Sequence, residues 1–165
     1  MPGKVLVLGI DPGSIVTGFG LVEQDGGEMR LLAWSSVKTS SRSPLAERLC
    51  RIHAETARLI ENHRPDEVAV ENVFQAKNVK SALKLGHARG VILLAAAQAE
   101  LPIYEYAPRE VKQSVVGTGS ATKPQVASMV DRLLDLSGRK LLEDESDAVA
   151  VAICHLHKRD RITSS

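Results

Sequence analysis

The sequence has few cysteines and contains no long apolar run. Its two cysteines, Cys50 and Cys154, lack the paired spacing of a zinc site or a redox motif, so both are expected to be buried free thiols. No segment approaches the roughly 20 apolar residues needed to span a bilayer. The apolar stretch at the N-terminus is also too short for a signal peptide. The protein is therefore expected to be cytoplasmic, with no membrane partner.

The sequence also has little net charge and few aromatic side chains, at +1 and 3% respectively. A hydrophobic content of 44% and a charged content of 25% are ordinary for a globular protein and too apolar for a disordered one. A chain of 165 residues suits one compact domain. We expect that domain to cover residues 1–158, followed by a frayed tail over residues 159–165.

Acidic residues are missing from one long stretch, between Glu71 and Glu100. The charged side chains in it are all basic: Lys77, Lys80, Lys84 and Arg89. The three lysines recur at the spacing that places side chains on one side of a helix, so a solvated helix face is one interpretation. The other is a cationic surface for an anionic partner.

Hydrophobic periodicity predicts a mixed α/β fold with a five-stranded sheet flanked by helices. The predicted strands are Lys4–Ile10, Thr17–Glu23, Met29–Val37, Val68–Val70 and Leu101–Tyr106. Helices are predicted from Pro44 to about Asn62, from Asn78 to Ala99, from Pro108 to a break at Gly117, from Thr122 to Leu136 and from Glu143 to Lys158.

Four acidic residues fall where such a fold places its functional sites. Asp11 and Glu71 end the first and fourth strands, and Asp144 and Asp147 share one face of the last helix. If the two strands are neighbours, the four carboxylates converge. Asp11 could instead initiate a turn, and the helical pair could complement a helix dipole. A purely structural role does not explain Glu71 as well, because desolvation makes an ionised carboxylate at the end of a buried strand unfavourable.

A cluster of like charges raises the pKa values of its members, so it is best explained by bound divalent cations. Ligands that are all oxygen suit Mg²⁺ or Mn²⁺ rather than Zn²⁺. Two such ions about 4 Å apart can activate a water and stabilise the leaving oxygen of a phosphodiester. With the cationic stretch nearby, the pattern favours a nucleic acid substrate.

The chain closely resembles the RuvC family of Holliday junction resolvases over nearly its whole length. The resemblance rests on GIDPGSIVTGFG from Gly9, ENVFQAKNVKSALKLGHARGV from Glu71, EVKQSVVGTGSATKPQV from Glu110 and DESDAVAVAICH from Asp144. It implies that the metal-binding positions are Asp11, Glu71, Asp144 and Asp147. This sequence departs from the family by placing Glu143 and Glu145 beside Asp144, where small residues are usual; the three-residue step to Asp147 favours Asp144.

The resemblance also implies a ribonuclease H-like three-layer fold and an activity. A homodimer would grip a four-way DNA junction and nick two strands symmetrically, using two Mg²⁺ ions per subunit, for which Mn²⁺ would substitute. A branch-migration motor complex would be a further partner. The helix containing Leu83, Gly86, Gly90 and Leu94 is a candidate dimer interface, since its glycines allow close approach, although a central core helix would have the same pattern.

The resemblance implies DNA contacts by two lysines, and the sequence itself suggests further ones. Lys112 and Lys123 match positions near the cut phosphate, and Phe74 is expected to stack on a junction base, with a plain packing role as the alternative. Lys77, Lys80, Lys84 and Arg89 complete the predicted DNA-binding set. His155 and His157 are assigned no role beyond their place near the C-terminal dipole of the last helix.

The rival functions are an actin-like or sugar-kinase ATPase, whose phosphate loop also reads like GIDPGS, and a non-catalytic junction scaffold.

Overall fold

A computed structural model describes residues 3–72 and 78–164. The strands in these ranges are β1 Val5–Asp11, β2 Val16–Asp25, β3 Glu28–Lys38, β4 Glu67–Glu71 and β5 Ile103–Tyr106. The helices are α1 Leu45–His63, α2 Val79–Gln98, α3 Pro108–Val116, α4 Lys123–Leu134 and α5 Glu143–Thr163. Each predicted strand and helix is present in the predicted order, with ends that differ by a few residues.

The strands form one mixed sheet in the order β3-β2-β1-β4-β5. β1, β2 and β3 pair antiparallel, whereas β4 lies parallel to both β1 and β5. The side chains of β1 alternate between the two faces: Leu8 and Ile10 pack in one buried cluster with Ile52 of α1, and Val7 packs in a second cluster with Val149 of α5. Helices cover both faces, which confirms the predicted three-layer fold.

Helix α5 lies against the centre of the sheet, and every residue from Ala148 to Leu156 is buried. It ends at Thr163, so the predicted end at Lys158 was too early. The last turns carry a tertiary contact that the sequence does not reveal, because the Arg159 Nε donates to Glu67 Oε1 at 3.0 Å.

Two expectations about exposure can be compared with the structure. Cys154 is buried, but Cys50 is exposed on α1, so the prediction of a buried thiol there was wrong. The apolar face of α1 is carried by residues such as Ile52 and Leu59, which leaves Cys50 on the solvent side. Among the described residues, no helix combines the length and apolar character needed to cross a membrane.

Candidate metal and nucleic acid site

Two of the predicted acidic residues end neighbouring parallel strands. The register pairs Ile10 of β1 with Val70 of β4, so Asp11 and Glu71, one residue further on, lie side by side at the same edge of the sheet. Val68 to Val70 are fully buried, whereas Glu71 itself is half-buried. The charge therefore falls where the buried strand opens to solvent, as the sequence indicated.

The first turns of α5 bring the other two acidic residues to the same place. Carboxylate oxygens of Asp11, Asp144 and Asp147 all lie within 4.8 Å of one another. Glu71 lies outside this trio but lines the same cavity of about 180 Å³ together with Asp11 and Asp147. Residues more than a hundred positions apart in the chain thus share one acidic pocket.

Glycines on the sheet allow this close approach. A Cβ atom on Gly18 of β2, which pairs with Asp11, would lie 1.9 Å from the backbone oxygen of Asp144. A Cβ atom on Gly9 would lie 2.2 Å from the backbone oxygen of Ala148. Both distances are far below van der Waals contact, so any other residue would push the start of α5 away from β1. The two glycines hence set the distance between Asp11 and the carboxylates of α5.

The structure distinguishes the three adjacent acids at the start of α5. Glu143 is exposed, and its Oε1 lies 2.5 Å from the Lys123 Nζ. Glu145 is buried, and its Oε1 accepts from the Leu142 backbone N–H at 2.8 Å, which caps the helix. Only Asp144 of the three joins the cluster with Asp11. The geometry therefore favours Asp144 over both neighbours, as the three-residue step predicted.

Burial and like charge make the pocket unfavourable for bare carboxylates. Burial raises the pKa of Asp11 well above its ordinary value, and the charges of Glu71 and Asp147 raise it further. Burial and the charge of Asp147 raise the pKa of Glu71 to about 7, although Lys123 and Lys112 oppose the shift. Burial also raises the pKa of Asp147. A hard divalent cation would relieve this repulsion, and the all-oxygen donor set fits one.

Two predicted DNA-binding lysines line the same cavity. Lys112 reaches it from α3 and Lys123 from the start of α4. The Lys123 Nζ lies between two anions, at 2.5 Å from Glu143 and 3.5 Å from the Asp147 Oδ2. Both lysines thus stand where a phosphate approaching the carboxylates would meet a positive charge.

The other predicted DNA contacts that the structure describes, on α2, do not line this pocket. Lys80 is exposed and Lys84 half-buried on α2, and neither lines the cavity. Arg89 forms an ion pair with Glu105 of β5, so its charge is already partnered. Phe74 and Lys77 lie outside the described residues.

Sequence reasoning missed a buried polar network behind the pocket. The Tyr106 hydroxyl lies 2.6 Å from the His155 Nδ1, and the His155 Nε2 bonds Glu67. Glu67 also accepts from Arg159. The assignment of His155 to the helix dipole was wrong, because α5 continues for two turns beyond it. The sequence carried no signal for the network, since its members come from three distant segments.

Residues 7–155 match the family model for crossover junction endodeoxyribonuclease RuvC. The RuvC of Idiomarina loihiensis is 50% identical over 161 residues, with 95% of this chain and 90% of the relative covered. That of Syntrophotalea carbinolica is 52% identical over 151 residues, covering 92% and 93%. The structure of Thermus thermophilus RuvC in complex with a Holliday junction substrate superimposes with a TM-score of 0.90 at 39% identity, covering 96% and 97%.

The sheet order, the helices on both faces and the acidic pocket define a protein with a ribonuclease H-like fold and a site suited to metal-dependent nuclease chemistry. The family model matches nearly the whole chain, and so do relatives at about half identity. The chain belongs to the crossover junction endodeoxyribonuclease RuvC family, as its motifs predicted.

Proposed function

We propose that this protein is an endodeoxyribonuclease that resolves four-way DNA junctions by hydrolysing phosphodiesters with divalent metal ions. The observation that carries the proposal is one cavity lined by three carboxylates and two lysines, those of Asp11, Glu71, Asp147, Lys112 and Lys123. Asp144 joins this site through the trio that it forms with Asp11 and Asp147. The relatives are named as crossover junction endodeoxyribonucleases, and the Thermus thermophilus structure contains a junction substrate. An ATPase and a non-catalytic scaffold are not favoured by these relatives.

The four carboxylates would hold Mg²⁺, two ions per subunit, with Mn²⁺ able to substitute. When bound, the ions supply an acidified water and charge stabilisation for the leaving oxygen. Asp11 would be a ligand from the centre of the site, because it lies beside Glu71 of β4 and its carboxylate is within 4.8 Å of those of Asp144 and Asp147. Asp144 and Asp147 would complete the set from the helix side, and Glu71 from the sheet side.

Lys112 and Lys123 would bind the phosphate that is cut. A lysine beside a metal pocket stabilises the charge that develops on the phosphate oxygens. For Lys123 this requires an exchange of partners, because its ammonium contacts Glu143 and Asp147 when no DNA is present. Lys112 has no such carboxylate partner among the described residues and is free to bind phosphate directly.

Symmetric nicking of a junction requires two active sites, so we propose a homodimer that uses the outer face of α2. The face contains Val79, Leu83 and Leu94, which are 78%, 60% and 50% exposed. Gly86 and Gly90 lie on the same face, and a Cβ atom on either would meet nothing within 4 Å. The opposite face of α2 packs on the sheet through residues such as Ile92. The helix therefore has a core face and an apolar face that no other described part of the chain covers.

The junction arms would lie on basic side chains around this interface. We propose Lys77, Lys80 and Lys84 as backbone contacts and Phe74 as the residue that stacks on a junction base. Arg89 could join them only by exchanging Glu105 for a phosphate. A branch-migration motor complex is proposed as a partner. A cytoplasmic location is proposed too, because the relatives come from bacteria, whose chromosome lies in the cytoplasm.

The test uses end-labelled synthetic four-way junction and linear duplex of the same sequence, with Mg²⁺ or with EDTA. We expect paired nicks in the junction, only with Mg²⁺ and not in the duplex. Asp11→Asn should abolish cutting while junction binding survives. Binding without cutting by the unaltered protein would point to a scaffold, and ATP hydrolysis without nicking to the kinase-like alternative; either result would overturn the proposal.

A further inference from the structure

Helix α5 and strand β4 meet at two charged contacts, one repulsive and one attractive. At the carboxyl end of β4, Glu71 faces Asp147, and each carboxylate raises the cost of ionising the pocket. At the other end of the strand, Glu67 bonds His155 and accepts from Arg159 at 3.0 Å. Both contacts lie on the same face of β4, because residues four apart in a strand point the same way.

The spacing of the two contacts matches along the two elements. Glu67 and Glu71 are separated by four residues of strand, about 13 Å at roughly 3.3 Å per residue. Asp147 and His155 are separated by eight residues of helix, about 12 Å at roughly 1.5 Å per residue. The helix therefore runs antiparallel to the strand and touches it at both ends. Repulsion between the carboxylates at the pocket pushes α5 away from the sheet. The contact of His155 and Arg159 with Glu67 opposes this repulsion and holds α5 against the sheet.

A tyrosine extends the attractive contact to the neighbouring strand. Tyr106 pairs with Glu71 in the β4–β5 register, and the Asn72 N–H donates to the Tyr106 carbonyl at 2.7 Å. The Tyr106 hydroxyl lies 2.6 Å from the His155 Nδ1, and the His155 Nε2 bonds Glu67. Both ring nitrogens of this buried histidine are therefore hydrogen-bonded. The backbone of Tyr106 thus holds the chain beside Glu71, and its side chain holds α5, the helix that carries Asp147.

We propose that Glu67, His155 and Tyr106 are positioning residues for metal binding: they set the distance between α5 and β4, and so the size of the carboxylate pocket. None of the three belongs to the acidic trio or lines the cavity, so each acts through the elements that it ties together. Buried polar networks whose members are all bonded rigidify the elements they join. This inference rests on the proposed metal-dependent function.

The test compares Tyr106→Phe, which removes one hydroxyl and keeps the ring, with Ile52→Val as a control. Ile52 is buried on the opposite face of the sheet, where it contacts neither the network nor the pocket. Mg²⁺ binding is measured by titration calorimetry and by the rise in melting temperature with Mg²⁺. Junction cleavage is measured over the same Mg²⁺ range, and junction binding in EDTA.

We expect Tyr106→Phe to raise the Mg²⁺ midpoint about tenfold, at the lower end of effects seen for residues one step removed from a metal. Saturating Mg²⁺ should restore most of the cleavage rate, and junction affinity in EDTA should stay within about twofold. Glu67→Gln should show the same shift, which keeps the test decisive if one variant folds poorly. Ile52→Val should lower the melting temperature without moving the midpoint.

Two outcomes separate this inference from the proposed function. If the unaltered protein binds Mg²⁺ and cuts junctions but both variants keep its midpoint, the network is merely structural and the inference is wrong. An unaltered protein that neither binds Mg²⁺ nor cuts would instead contradict the proposed function.

Discussion

Replacing Glu71 by glutamine should stabilise the metal-free protein while abolishing its activity. Burial and the charge of Asp147 raise the pKa of Glu71 from its ordinary 4.5 to about 7 in the fold. When folding raises the pKa of an acid, the fold is most stable below the unfolded pKa, where the acid is protonated in both states. This stability is lost as the pH rises from the unfolded pKa through the folded pKa. A rise from 4.5 to about 7 corresponds to about 3 kcal/mol at pH 8.

The assay is urea unfolding in EDTA at pH 5 and pH 8, followed by the fluorescence of Trp34, the single tryptophan. At pH 8, Glu71→Gln should unfold at a higher urea concentration than the unaltered protein, by about 1 to 3 M for a small domain. At pH 5 the unaltered Glu71 is largely protonated in the fold, but the pH still lies slightly above the unfolded pKa of 4.5, so the difference in stability should fall to about 1 kcal/mol or less. Adding Mg²⁺ should stabilise the unaltered protein more than the variant, because only the former keeps all four ligands.

The control is Glu47→Gln in the exposed first turn of α1, which removes one carboxylate charge from a helix that does not line the pocket. Because that charge complements the helix dipole, its loss should lower the urea midpoint slightly or leave it unchanged, and should not raise it at pH 8. The reasoning is refuted if Glu71→Gln is less stable than the unaltered protein at pH 8 in EDTA. It is equally refuted if the gain is the same at pH 5, because the stabilisation would then not come from the charge.

Three further variants test other parts of the account. Gly18→Ala should destabilise the fold by about 1 to 3 kcal/mol and abolish Mg²⁺ binding, whereas Gly27→Ala, which meets no atom within 4 Å, should do neither; equal effects on calorimetric Mg²⁺ binding would contradict the close-approach argument. Lys112→Ala should slow single-turnover cleavage about 100-fold with little loss of junction affinity, and a change only in the salt dependence of binding would make it a remote backbone contact. Leu83→Glu should convert the proposed dimer to a monomer in analytical ultracentrifugation, and a dimer that survives the change would place the interface elsewhere.

The sequence predicted the architecture because local signals agreed with the global fold. A β-branched apolar run marked β1, and alternating residues that end in a hairpin turn marked β2 and the start of β3. The buried run Val68 to Val70 marked a further strand whose terminal carboxylate needed an explanation. The convergence of the acids depended on the first and fourth strands being neighbours, and the observed register of β1 with β4 shows that they are. Family membership, which the motifs predicted, is confirmed by the matches.

Other features depend on contacts between distant segments and could not be read from the chain. The role of Gly18 appears only when α5 lies on β2, because its missing side chain leaves room for a backbone oxygen of another element. The choice among Glu143, Asp144 and Glu145 depends on which direction each side chain takes at the helix start. His155 looked like a residue near the end of a helix, because the sequence does not show that α5 continues to Thr163 or that Arg159 contacts Glu67.

The central claim is that carboxylates from three elements form one pocket that divalent ions stabilise. Anomalous diffraction from a crystal soaked in Mn²⁺ tests it most directly. We expect peaks bounded by the oxygens of Asp11, Glu71, Asp144 and Asp147, at ligand distances of about 2.0 to 2.2 Å. A crystal that shows no peak there, or peaks held by Glu143 or Glu145 in place of Asp144, would contradict the account.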